Sequence, residues 1–207
     1  MPKNQTSQRI KAVIIAILLA MSLVGAGVYG YLSGTPSPSP TSSPSSSGSN
    51  DYNGMKNRVN ALTQQVKSNP NDIQLQQALG DAYYDLGTFA RTAAPNEAKV
   101  DFIQATKCYQ TVLSTKQDIN VLTDMATAAF YSGQNDLAEK SYQEALNEQP
   151  DFQQALFDYG IFLFQIKQDY ATAIRMWQTA LNKDPNGPNA DHLKQLIIKA
   201  NDAKTSR

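Results

Sequence analysis

Beyond residue 54 the chain is a succession of short apolar stripes at helical spacing. Met55, Val59, Leu62 and Val66 recur every three or four positions and predict an amphipathic helix over residues 55–69. Leu193, Leu196, Ile197 and Ala200 predict another over 188–203, with polar residues opposite. Between them one pattern returns three times. Ala105-x3-Tyr109-Gln110-x-Val112-Leu113 is followed 33 residues on by Ala138-x3-Tyr142-Gln143-x-Ala145-Leu146, and 35 further on by Ala173-x3-Trp177-Gln178-x-Ala180-Leu181. Residues 72–87 also lie without gaps on residues 118–133, and Pro70, Pro150 and Pro185 punctuate the units.

The residue types explain the pattern. An alanine and the aromatic four residues on share one helix face. The small alanine lets a paired helix approach, and the aromatic fills the space beside it. Gly87 and Gly133 are expected to end first helices in a left-handed conformation. Pro150 and Pro185 cannot continue the helices before them. One hairpin cannot bury its apolar face alone, so successive hairpins must stack. The expected fold is all-α, a tandem array of antiparallel helix hairpins with units at 70–117, 118–150 and 151–185, flanked by packing helices at 55–69 and 188–203. The first unit is about 13 residues longer between Gly87 and Ala105. That insertion, TFARTAAPNEAKV, is expected to lengthen the loop and add a turn to the second helix, with Pro95 near its start. The second unit lacks a preceding proline and carries Ala126 where a glycine is expected.

The N-terminal region follows different rules. Residues 12–32, AVIIAILLAMSLVGAGVYGYL, form a run of 21 without a charge. As a helix this run reaches about 30 Å, the thickness of a bilayer's hydrocarbon core. Tyr29 and Tyr31 sit at its far end, where amphipathic rings favour the interface. Lys3, Arg9 and Lys11 flank the near end, which predicts a cytoplasmic N-terminus at 1–11 and an extracytoplasmic remainder. A cleaved signal peptide, with Val24 and Ala26 before the cut, is the competing reading. The length of the run favours a retained transmembrane anchor. Residues 33–54, SGTPSPSPTSSPSSSGSNDYNG, are rich in serine, proline and glycine and predict a disordered spacer.

Charge and composition narrow the function. The chain is neutral overall, but after residue 54 it carries 15 basic against 17 acidic side chains. Such a domain lacks the basic stripe that nucleic-acid binding requires. One cysteine, Cys108, and one histidine, His192, leave no intrachain disulfide and no Cys/His zinc cluster. There is no phosphate-binding glycine loop, nucleophile elbow or zinc-protease helix. Cys108 falls between the alanine and aromatic positions and reads as a small buried hydrophobe. His192 reads as a surface residue and Trp177 as core. The expectation is a protein that is not an enzyme, with no catalytic residues, metal, cofactor or small-molecule substrate.

The period near 34 with alanine, aromatic, alanine and proline at fixed offsets resembles the tetratricopeptide repeat (TPR) family over residues 70–187. The resemblance implies that the first helices line a groove for a protein or peptide partner. Carried over by repeat register, the groove positions are Gln74, Gln77, Asp81, Tyr84 and Asp85 in the first unit. The second supplies Asn120, Asp124, Thr127, Phe130 and Tyr131, and the third Gln154, Phe157, Asp158, Ile161, Phe164 and Gln165. Family members that clamp a C-terminal carboxylate use lysine, arginine and asparagine there. Acids, aromatics and amides occupy the places here, so that function is not carried over and an apolar or basic segment is the expected ligand. The aromatics Phe130, Phe157 and Phe164 equally suit simple packing. The run Asp169-Tyr170-x2-Ala173-Ile174-x2-Trp177-Gln178-x2-Leu181 with its following helix is similar to the TPR domain of bacterial cytochrome c maturation assembly factors. Two functions follow as expectations. One is a membrane-anchored interaction scaffold of the cell envelope. The other is a structural anchor or spacer subunit docked on a larger envelope enzyme complex.

Overall fold

In the first hairpin, Asp72 caps the inner helix, its Oδ1 accepting from the backbone N–H of Leu75 at 3.1 Å. Asp118 and Asp169 do the same at two later helix starts, for Asn120 and Val121 and for Thr172 respectively. Asp118 thereby starts the second unit without a proline. The computed structural model describes residues 47–92 and 94–206, with side chains from Tyr52 onward. The predicted cytoplasmic segment, the membrane span and most of the spacer lie outside the described residues. Among the described residues no helix is long and apolar enough to cross a membrane.

Residues 50–207 form one compact unit of helices packed in chain order. Helix α1 spans Ser47–Ser68, α2 Ile73–Ala90, α3 Pro95–Leu113, α4 Ile119–Ser132 and α5 Asn135–Glu148. Helix α6 spans Gln153–Phe162 and continues into a π turn at Leu163–Lys167. Helices α7, Tyr170–Lys183, and α8, Ala190–Thr205, complete the chain. The hairpins α2–α3, α4–α5 and α6–α7 are the three predicted repeats, and α1 and α8 are the flanking helices.

The seams within the hairpins carry the repeat signature. Ala105, Ala138 and Ala173 are fully buried, as are Tyr109, Tyr142 and Trp177. Tyr109 and Trp177 lie against the inner helix where the chain offers a glycine. A methyl on Gly80 would meet the Tyr109 ring at 2.8 Å, and one on Gly160 would overlap the Trp177 indole. Each polar head is satisfied from the inner helix of its own hairpin. The Tyr109 hydroxyl donates to Asp81 Oδ1 at 2.9 Å, and the Tyr142 hydroxyl lies 2.9 Å from Thr127 Oγ1. Trp177 Nε1 donates to the Phe157 carbonyl at 3.1 Å. Full burial of such side chains is tolerable because no polar atom is stranded. Phe102 of α3 joins hairpins, with ring centroids 5.6 Å from Tyr84 and 5.1 Å from Tyr131.

Several expectations change. Helix α1 begins at Ser47, so residues 47–54 are helical and not part of a disordered spacer. Tyr52 supplies the reason: it stacks on Phe89 at 5.5 Å and donates from its hydroxyl to Glu97 at 2.8 Å. Gly133 ends α4 in the left-handed conformation, φ 82°. Gly87 does not end α2, which runs on to Ala90. Gly87 is buried against Phe102, where a Cβ would sit 3.2 Å from the ring, so the residue makes room and does not turn the chain. The insertion is therefore absorbed by two longer helices joined through a short connection, and not by a longer loop. Pro95 opens α3 as expected.

In the third unit the interval from Gly160 to Ala173 is one residue longer than that from Ala126 to Ala138. The π turn takes up the extra residue. It closes with Gln168 in the left-handed region, φ 54°, its N–H bonding to the Leu163 carbonyl.

Candidate interaction face

The first helices of the hairpins, α2, α4 and α6, present Tyr84, Asp124, Tyr131 and Asp158 toward one another. All four are partly buried. The Tyr84 hydroxyl is pushed well above its ordinary range by burial, with the charges of Tyr131, Asp158 and Asp124 adding to the shift and that of Arg91 opposing it. Three hairpins thus converge on one patch. Asp124 and Asp158 are both pushed up to about 7, first by burial and then by like charge. Asp81 acts on Asp124, and Asp124 acts on Asp158. Their hydrogen bonds are few. Gln154 Nε2 donates to Asp124 Oδ1 at 3.0 Å, and Thr127 Oγ1 lies 3.4 Å from Asp158 Oδ2. Among the described residues no lysine or arginine forms an ion pair with either carboxylate.

The remaining predicted groove residues divide by environment. Asp81 flanks the patch and is raised by burial, with its oxygen occupied by Tyr109. Asp85 is exposed and pairs with Arg58 of α1 at 3.1 Å. Thr127, Phe130 and Ile161 are buried between hairpins and do not line an open face. The next inner helix, α6, covers the first two: Thr127 reaches Asp158, and Phe130 meets Phe162 edge-on at 5.6 Å. Phe157 packs on His192 of α8 at 5.4 Å. Phe164 packs between Tyr170 and Trp177, at 5.3 and 6.0 Å. His192, expected at the surface, is half-buried, and burial lowers its pKa.

Register also passes over a cation. Arg91, just past the end of α2, places its guanidinium carbon 3.9 Å from the centre of the Tyr131 ring. Burial raises the Tyr131 hydroxyl while the Arg91 charge pulls it back. Arg91 lies in the inserted segment, which has no counterpart in the other units. The one signal available was a lone arginine in an otherwise small and uncharged stretch, TFARTAAP.

Nucleophilic chemistry has no support here. Burial, then the Asp81 charge, push the Cys108 thiol up to about 11, far from thiolate character. Among the described residues no group of three or more His, Cys, Asp and Glu side chains is placed to hold a metal.

Stacked helix hairpins with the alanine–aromatic seam define a TPR-like repeat protein, a class that works by binding other proteins. The model of the "Cilia and flagella-associated protein 70 middle TPR-like domain" matches residues 89–200, more than half of the chain, and the chain belongs to that TPR-like family. Among solved structures, one crystal structure of MamA superposes with a TM-score of 0.52 at 16% identity, covering 76% of this chain and 81% of that one. A second crystal structure of MamA gives 0.52 at 14% identity, covering 79% and 97%. At such identities the likeness is one of fold. No curated protein matches the chain.

Proposed function

We propose that this protein is an interaction scaffold whose first-helix face holds an extended peptide segment rich in basic and apolar side chains. The observation that carries the reading is the pair Asp124 and Asp158. Two partly buried carboxylates beside Tyr84 and Tyr131, with no cation paired to them among the described residues, leave charge that a ligand's cation would offset. Aromatic rings would supply most of the affinity, and the acids selectivity and association rate.

The charge-free run at 12–32 and its basic near flank support a retained anchor with residues 33–207 outside the cytoplasm. An assembly factor for partly folded envelope proteins, of the cytochrome c maturation kind, is the narrower form of this reading. Docking on a folded partner would instead use the edge between α1 and α3, where Val100 is 54% exposed beside Lys56, Asn96 and Asp101.

The test is a peptide array probed with the detergent-solubilised chain. Enrichment of basic and apolar peptides, lost in Tyr84→Ala, is the expected result. Enrichment of acidic peptides would refute the ligand chemistry, and binding abolished only by Val100→Glu would favour the folded-partner edge. For the topology, protease added to sealed cells is expected to remove the C-terminal domain. A domain protected until the cytoplasm is opened would reverse the orientation.

A further inference from the structure

The place that Arg91 occupies says more about the ligand than the acids do. An arginine near the surface normally extends into water. Arg91 is partly buried and instead places its guanidinium carbon 3.9 Å from the centre of the Tyr131 ring, a ring that also stacks on Phe130 at 4.8 Å and meets Phe102 at 5.1 Å. The ring is thus held in place from behind, while its free face accepts a planar cation. No ion pair ties Arg91 among the described residues. The side chain springs from the short connection between α2 and α3, outside the repeat register.

We propose that the Tyr131 face is the seat for an arginine side chain of the bound segment, and that Arg91 fills this seat until the ligand displaces it. This rests on the peptide-binding reading above and adds the ligand's key residue and an intramolecular competitor.

The competition is uneven for a physical reason. Arg91 reaches the ring from the α2–α3 connection and, among the described residues, forms no ion pair with Asp158 or Asp124. A ligand arginine entering along the face can take the same ring contact and pair directly with a carboxylate as well. A guanidinium suits both demands, since it stacks on aromatic faces and presents a fork of donors to carboxylates. An ammonium does the first less well and cannot do the second in bidentate fashion. Arg91 thus acts as a selectivity filter: a segment that cannot replace its stacking contact does not displace it. Apparent affinity is reduced by the fraction of molecules in which the seat is filled.

The experiment uses the full chain in detergent and a fluorescein-labelled heptapeptide with one central arginine between leucines. Matched peptides carry lysine or citrulline instead. Anisotropy titrations should rank arginine above lysine above citrulline. Arg91→Ala should tighten the arginine peptide by roughly threefold to tenfold, the range of one cation–π contact removed from competition. It should leave the citrulline peptide within twofold. Tyr131→Leu should erase the difference between arginine and citrulline, and circular dichroism will confirm that this variant is folded. Should Tyr131→Leu unfold, Asp158→Asn provides the second arm, by weakening the arginine peptide most, the lysine peptide less and the citrulline peptide not at all. If the peptides bind but Arg91→Ala leaves or lowers affinity for arginine, Arg91 is not a competitor and this inference falls while the peptide-binding reading stands. If none of the three peptides binds either protein, both fall.

Discussion

The hairpin seams and the first-helix face are built from the same residue types and behave differently. At the seams Tyr109, Tyr142 and Trp177 are fully buried, and each hydroxyl or N–H finds a partner. On the face, Tyr84 and Tyr131 keep an accessible side, and Asp124 and Asp158, pushed up to about 7 by burial, have no cationic partner among the described residues. The seams maximise satisfaction and so stabilise the array. The face leaves polar and aromatic groups incompletely used, which costs stability and leaves something for a partner to complete. The division lies between outer-helix aromatics that point back into their own hairpin and inner-helix side chains shared among neighbouring hairpins.

The seam should give the largest effect. Trp177→Ala is expected to cost about 3–5 kcal/mol in denaturant unfolding, as large aromatic core truncations do. Removing the indole also takes away the side-chain donor to the Phe157 carbonyl. A loss below about 1 kcal/mol would show that the seam of the third hairpin is not a core element.

The face should respond with the opposite sign. Folded Asp124 and Asp158 hold their protons up to about 7, whereas unfolded aspartates release theirs near the ordinary value of about 4. Between those limits the folded state binds more protons, so stability is full at low pH and declines as pH rises toward about 7. Asp158→Asn should therefore stabilise the chain at pH 8 by on the order of 1 kcal/mol and do little at pH 4, while weakening ligand binding. Thermal melts at the two pH values check it. A variant less stable at pH 8 would mean that the carboxylate is structurally satisfied and that the contrast with the seams is mistaken.

The smallest effect tests a position that belongs to neither region. Gln168 occupies the left-handed place that Gly133 holds in the preceding hairpin. Gln168→Gly should gain about 0.5–1 kcal/mol by relieving that conformation. A destabilised variant would show that the side-chain contacts of Gln168 outweigh its backbone cost.

These contrasts also mark what could be read from sequence. The seams were legible because an alanine and an aromatic four residues apart form a local pattern, and the hairpins and the buried Trp177 and Cys108 followed from it, while both flanking helices followed from their own apolar stripes. Gly87 was misread because a glycine can either turn the chain or make room. Only its neighbour, Phe102 from the far side of an insertion, decides between the two. Thr127, Phe130 and Ile161 lie on the helix face that register assigns to them. How closely neighbouring helices cover that face is a tertiary quantity with no trace in spacing. Arg91 escaped notice because register reasoning has no place for an inserted segment. Residues 47–54 looked like spacer by composition, yet Tyr52 alone finds enough partners to draw them into α1.

The order of contacts carries one mechanical consequence. Helices in this array touch mainly their neighbours in the chain, and few contacts reach further along it. A load applied between α1 and α8 would therefore meet no clamp spanning the array among the described residues. The array would be expected to peel from one end, one hairpin after another, each giving way at modest force and lengthening the tether. A protein of this design would absorb a sudden pull by paying out length gradually. It would recover when slack returns, since each hairpin needs only its adjacent neighbour as a template.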